Sequence, residues 1–149
     1  MKRPARLLTP SLMLLLATLA CSVSFNLEDV PDTKSVTVEA QEGWTDTHIA
    51  VEAGDRLTIT YISGEWSPWP GGEYDAIGSG GDPHCRCNVV MGVSHAALIG
   101  RIGDNQPFLV GQVYQHTIGE SGTLYLGIND VDINDNSGSL RVLVEVVEK

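Results

Sequence analysis

The sequence predicts an all-β chain, a sandwich or jelly-roll of about eight short antiparallel strands. Short runs with apolar residues at every second position recur along it, and Gly, Asn, Asp, Ser and Pro stand between them. After the first twenty residues no stretch keeps a helical apolar period.

The first element is an export signal. Met1 to Ala20 places Lys2, Arg3 and Arg6 before an apolar run over Leu12 to Leu16 and ends in small residues before Cys21. It is too short to span a membrane. A cysteine directly after Leu19 and Ala20 suggests lipoprotein processing, with Cys21 as the lipidated first residue, and ordinary signal-peptidase cleavage nearby is the alternative. The expected location is therefore outside the cytoplasm, as a membrane-anchored bacterial lipoprotein of the periplasm or cell surface, or otherwise secreted. Ser22 to Lys34 is polar, with Glu28, Asp29, Pro31 and Asp32, and reads as a tether, so the expected plan is a signal over 1–20, a tether over 21–34 and a domain over 35–149.

The whole chain carries 9 Lys and Arg against 19 Asp and Glu, a net charge of −10, and the signal holds three of the basic residues and no acidic one. A mature domain this acidic argues against nucleic acid, whose phosphates call for basic patches. It suits a partner that is a cation or a neutral molecule.

Strands follow from Ser35. Val36 and Val38 alternate in Ser35 to Ala40, Ile49 and Val51 in Thr47 to Glu52, and Leu57, Ile59 and Tyr61 in Arg56 to Ser63, with a turn at Ala53-Gly54-Asp55. Glu65 to Ser94 has little alternation and is rich in glycine, proline and aromatic residues, so it reads as a long loop of the kind that carries function. Trp44 and Trp66 are expected in the core, whereas Trp69, between Pro68 and Pro70, is expected to be exposed or held by the loop. Ala96 to Gly103 reads as a buried strand, Phe108 to Val113 and Tyr114 to Ile118 as two more, and Thr123 to Ile128 and Ser139 to Val147 as the last pair.

Between that last pair lies the chemistry. Asp130, Asp132, Asn134, Asp135 and Asn136 crowd one loop with oxygen-bearing side chains. Such a loop suits a hard cation like Ca2+, which takes about six to eight oxygen ligands, and it is also what a solvated turn is made of. The spacing argues against an EF-hand, because counting from Asp130 the sixth position is Asp135 in place of Gly and the twelfth is Arg141 in place of Glu.

Cys85 and Cys87 form a C-x-C pair. The small ring argues against a bridge between them, and His84-Cys85-Arg86-Cys87 could instead seed a zinc or copper site, or be a plain loop. Enzyme motifs are missing: there is no G-x-S-x-G, no H-E-x-x-H and no phosphate-cradling glycine loop, and His48, His84, His95 and His116 pair with no evident nucleophile. The expectation is a binding domain that is not an enzyme.

From Gly43 to Val146 the chain resembles the PA-IL-like calcium-dependent galactose-binding lectins of bacteria. The resemblance rests on W-T-D-T-H-I-A-V-E-A-G-D from Trp44, S-G-E-W from Ser63, A-A-L-I-G-R-I-G from Ala96, and S-G-T-L-Y-L-G-I-N-D followed by N-S-G-S-L. It implies a jelly-roll-like β-sandwich with one Ca2+ at its end, held by Asp130, Asp135, Asn136, a carbonyl near Asp132 or Ile133, and the Trp69 carbonyl. It further implies that a galactose-type or other neutral glycan docks two vicinal hydroxyls on the ion, with Asp130, Asn136 and His84 as sugar contacts. Asp135 stands where the family has an amide, the loop is about two residues shorter, and a family Gln has no counterpart beyond the neighbourhood of Arg86. These departures motivate the alternative, a calcium-stabilised structural or protein-interaction module without sugar binding. Avidity in lectins comes from linked sites, so a homo-oligomer is a further expectation.

Overall fold

A computed structural model describes residues 31–149. The signal, Cys21 and the tether up to Val30 lie outside the described residues. Eight strands run in order: β1 (Asp32–Glu39), β2 (Thr45–Val51), β3 (Arg56–Ser67), β4 (Leu98–Ile102), β5 (Phe108–Leu109), β6 (Val113–Thr117), β7 (Gly122–Ile128) and β8 (Ser137–Val147). They form two four-stranded sheets, ordered β1-β8-β3-β6 and β2-β7-β4-β5. Every pairing between strands is antiparallel. The chain is the all-β sandwich its alternating pattern predicts.

The alternating residues build the core. In the first sheet Val36 and Val38 stand opposite Val142 and Leu140, and Leu57 and Ile59 opposite Val146 and Val144. In the second, Leu98 and Ile102 stand opposite Ile128 and Leu124. All of these are buried, and burial of each such side chain contributes about 1.5–3 kcal/mol before chain entropy is counted.

Three sequence expectations shift. β1 begins at Asp32, because Asp32 to Lys34 pair with Val146 to Val144, so the last residues assigned to the tether belong to the sheet. β3 continues four residues beyond Ser63. A register shift between Tyr61 and Ser63, followed by Gly64 at φ 100°, breaks the period-two signal while the strand goes on to Ser67. Trp66 is therefore core, as expected, but Trp44 is only half-buried and lies outside the core. It packs on the outer face of the second sheet, where the Arg101 guanidinium lies 4.8 Å from the Trp44 ring and 5.0 Å from the Tyr125 ring.

This topology gathers the two long connections at one end. β3 leaves the first sheet at Ser67 and the chain enters the second at Leu98; β7 leaves the second at Ile128 and the chain re-enters the first at Ser137. Ser67 pairs directly with Ser137, so the two crossings start and finish side by side. Gly138 allows that approach: its φ is 82°, and a Cβ there would meet the Glu65 carbonyl oxygen at 2.5 Å.

Candidate metal centre

The two crossings are bonded to each other along their length. The Ala96 N–H donates to the Asn129 carbonyl (3.1 Å) and the Asn129 N–H to the Ala97 carbonyl (2.9 Å), which carries the β4–β7 pairing beyond the strands. The fully buried Asn129 side chain then donates to the carbonyls of Val90, Val93 and Ser94 and accepts from the Val90 N–H at 2.7 Å. The Val131 N–H donates to the Cys87 carbonyl at 2.9 Å. The oxygen-rich loop is thereby held against the end of the long loop.

Asp130 lies at the centre of this junction and is 5% exposed. Its Oδ1 accepts from the Asp132 N–H at 3.1 Å. Burial pushes its carboxyl above the ordinary 3.8, and the nearby Asp135 charge pushes the same way; the Asp132 N–H, His95 and the Asn136 amide oppose the rise. A buried carboxylate whose main perturbation is lost hydration is one that a cation would relieve.

Asn136 is 1% exposed. Its Nδ2 donates to the Ala40 carbonyl at 3.2 Å, which fixes the orientation of the amide, and its Oδ1 is buried without a hydrogen-bond partner. An orphaned buried acceptor beside a buried carboxylate fits a bound cation, because leaving such an atom unpaired costs about 1–3 kcal/mol. The other loop residues are less committed. Asp132, Asn134 and Asp135 are exposed, Ile133 packs half-buried against the core, and Asp132 Oδ1 accepts from the backbone and side chain of Asn134. Part of the loop is thus the ordinary turn its composition allows.

Trp69, expected to lend its carbonyl, lies at the same end, and that oxygen accepts from the Ser67 hydroxyl and from the Gly72 N–H. The indole is 39% exposed and stacks on the His95 ring, with centroids 5.5 Å apart and planes 4° apart, while Tyr74 meets it edge-on. His84, the expected sugar contact, stands on the surface beside Asp82. The histidine that reaches Asp130 is His95, 8% exposed, with Nε2 at 3.9 Å from Asp130 Oδ2. His95 and its neighbour Asn88 escape notice in the sequence because no spacing rule links them to a loop more than thirty residues away.

Cys85 and Cys87 are disulfide-bonded, against the sequence argument. Turn hydrogen bonds from the Cys85 N–H to the Asp82 carbonyl and from the Asn88 N–H to the Cys85 carbonyl fold the segment, and the two Cα atoms stand 5.1 Å apart, inside the range a bridge accepts. A zinc or copper site on free thiolates is excluded by that bond. Among the described residues no three His, Cys, Asp or Glu side chains converge as metal ligands, so a cation beside Asp130 would need amide or main-chain oxygens to complete its shell.

No family model matches the chain, and no curated protein matches it. Among solved structures, the chain is similar to one described as "EclA N-terminal domain; PllA-like lectin", at 24% identity and a TM-score of 0.60, over 75% of this chain and 94% of that one. What the likeness establishes is the architecture: this chain has the β-sandwich fold of a solved lectin domain.

Proposed function

We propose that the protein is a calcium-dependent carbohydrate-binding lectin domain and not an enzyme. The observation that carries this is a buried Asp130 carboxylate in contact with the amide of Asn136, whose buried Oδ1 is orphaned, at the end of a sandwich shared with a solved lectin. Asp130, Asp135, Asn136, the Trp69 carbonyl and a carbonyl at Asp132 or Ile133 would hold the ion. A hard divalent cation with open positions supplies coordination for two vicinal sugar hydroxyls. The chain's own residues supply the rest: Asp130 and Asn136 accept hydroxyl protons, and the exposed Trp69 face, backed by His95, offers an apolar surface to a sugar ring.

Galactose-type glycans are the proposed ligands, with other neutral glycans as the wider class. The proposed setting is outside the cytoplasm, on a membrane through a lipid on Cys21, with self-association or dense display providing avidity. Nucleic acid is not a proposed partner. Calorimetry of the protein from residue 22 onward, with Ca2+ and then with methyl galactoside, tests the reading. Heat from both titrations, with sugar binding lost on chelation, is the expected result; calcium-loaded protein that binds no galactoside removes the galactose assignment.

One alternative has its own observations. His84, the expected sugar contact, stands out at the surface and is engaged with Asp82 through both its ring and its backbone N–H. A calcium-stabilised interaction module without sugar binding would be built this way. A glycan array with calcium-dependent hits argues against it.

A further inference from the structure

The environment of His95 fixes which way each of its ring nitrogens faces. Asn88 Nδ2 faces three carbonyls, of Asp82, Pro83 and Val93, so this end of the amide is the donor and Oδ1 is the acceptor. His95 Nδ1 lies 3.0 Å from that Oδ1 and 3.6 Å from the bridged Cys87 sulfur. Two acceptors surround Nδ1, so Nδ1 is the donor to Asn88, and Nε2 points at Asp130 Oδ2 from 3.9 Å, too far for a direct hydrogen bond. The ring nitrogen and the buried carboxylate thus face each other across a gap, near Asn136, whose amide contacts Asp130 and whose Oδ1 is orphaned.

We propose that His95 Nε2 is a donor of the metal centre, giving it an imidazole nitrogen beside its oxygens and letting it take a borderline divalent ion such as Mn2+ or Zn2+ as well as Ca2+. The inference rests on the reading that this centre holds a cation, and it adds a ligand and a metal class to that reading. The chemistry is that of a metal-ligating histidine: one ring nitrogen free for the ion, the other fixed by a hydrogen bond to an amide or backbone oxygen. Imidazole suits Zn2+ and other transition ions, carboxylate and carbonyl oxygens suit Ca2+ and Mn2+, and a mixed set accepts ions of both kinds. The buried position of all three groups keeps water from satisfying them instead.

Mn2+ is the probe, because it accepts oxygen and imidazole together and is paramagnetic. Pulsed electron paramagnetic resonance of the protein with Mn2+ alone should show coupling to a directly bound 14N nucleus. His95→Phe, which keeps a ring to stack on Trp69, should lose that coupling and weaken Mn2+ binding by about tenfold or more, with Ca2+ affinity changed much less. Bound Mn2+ without nitrogen coupling in the unaltered protein overturns the proposal whether or not the variant folds, and so do equal losses of Mn2+ and Ca2+ affinity in the variant. Nitrogen-coupled Mn2+ without Ca2+ binding would uphold this inference while removing the calcium reading, and a protein that binds neither ion would remove both.

Discussion

Burial raises the Asp130 carboxyl above its ordinary 3.8, so the folded, metal-free protein binds a proton there more readily than the unfolded chain does. The linkage follows in sign. As pH falls through the raised folded value, the unfolded carboxyl is still ionised, the folded one takes up a proton, and the metal-free fold gains stability relative to neutral pH. Ca2+ requires the carboxylate, so its affinity should fall over the same window, starting at higher pH than an ordinary Asp would set; calorimetric titrations at stepped pH check this. Asp130→Asn keeps an acceptor for the Asp132 N–H and removes the charge. We expect Ca2+ affinity to drop by about a hundredfold or more, since ligand charge sets affinity in such sites, while metal-free melting stays level or rises. Unchanged Ca2+ affinity in that variant would contradict the assignment of Asp130. The crowding of oxygens from Asp130 to Asn136 was legible in the sequence, but the burial that separates Asp130 and Asn136 from Asp132, Asn134 and Asp135 was not. Burial depends on the partner loop, which sequence spacing does not place.

At the scale of elements, the site depends on two connections being clamped side by side, and Asn129 is the clamp. Asn129→Ala removes four hydrogen bonds from a fully buried position and leaves the carbonyls of Val90, Val93 and Ser94 to find other donors. A loss of about 2 kcal/mol or more is expected by chemical denaturation, with Ca2+ affinity reduced as well because the loop beside Asp130 loosens. Gly138→Ala should cost at least about 1–2 kcal/mol, from its left-handed φ and from the close Glu65 carbonyl. Stability equal to the parent in either variant would show that the crossing is held elsewhere. The strands themselves were readable where alternation was clean, as in β7 and β8. They were misplaced where a bulge or glycine interrupted the period, as in β3 beyond Ser63, and where a polar segment paired without burying its side chains, as in β1 at Asp32 to Lys34. The Cys85–Cys87 bridge was missed for a related reason: ring size alone argues against it, and the turn that brings the two Cα atoms together is a matter of backbone hydrogen bonds.

For the whole molecule, the proposed cation at the end of the sandwich would couple metal binding to folding. The two long connections are tied together there by the Asn129 clamp, while the Ser67–Ser137 pairing and the Asn136 bond to Ala40 fix the neighbouring end of the first sheet. A cation that binds only the folded state should stabilise it by about 2.7 kcal/mol at a hundredfold excess over its dissociation constant. For a domain of this size that is a rise of about 10 °C in melting temperature, absent in Asp130→Asn and reversed by chelation. The all-β architecture followed from the pattern of the sequence, since period-two alternation and turn residues act locally. The meeting of the two long connections did not, because it is set by which strand pairs with which across the fold.

The most direct measurement is calorimetry of the protein from residue 22 onward, with Ca2+ titrated first and methyl galactoside titrated into the calcium-loaded protein. The account predicts one Ca2+ site whose loss on chelation abolishes all binding of the galactoside. Galactoside binding that persists in the presence of chelator, or a protein that takes up no Ca2+ at neutral pH, would contradict it.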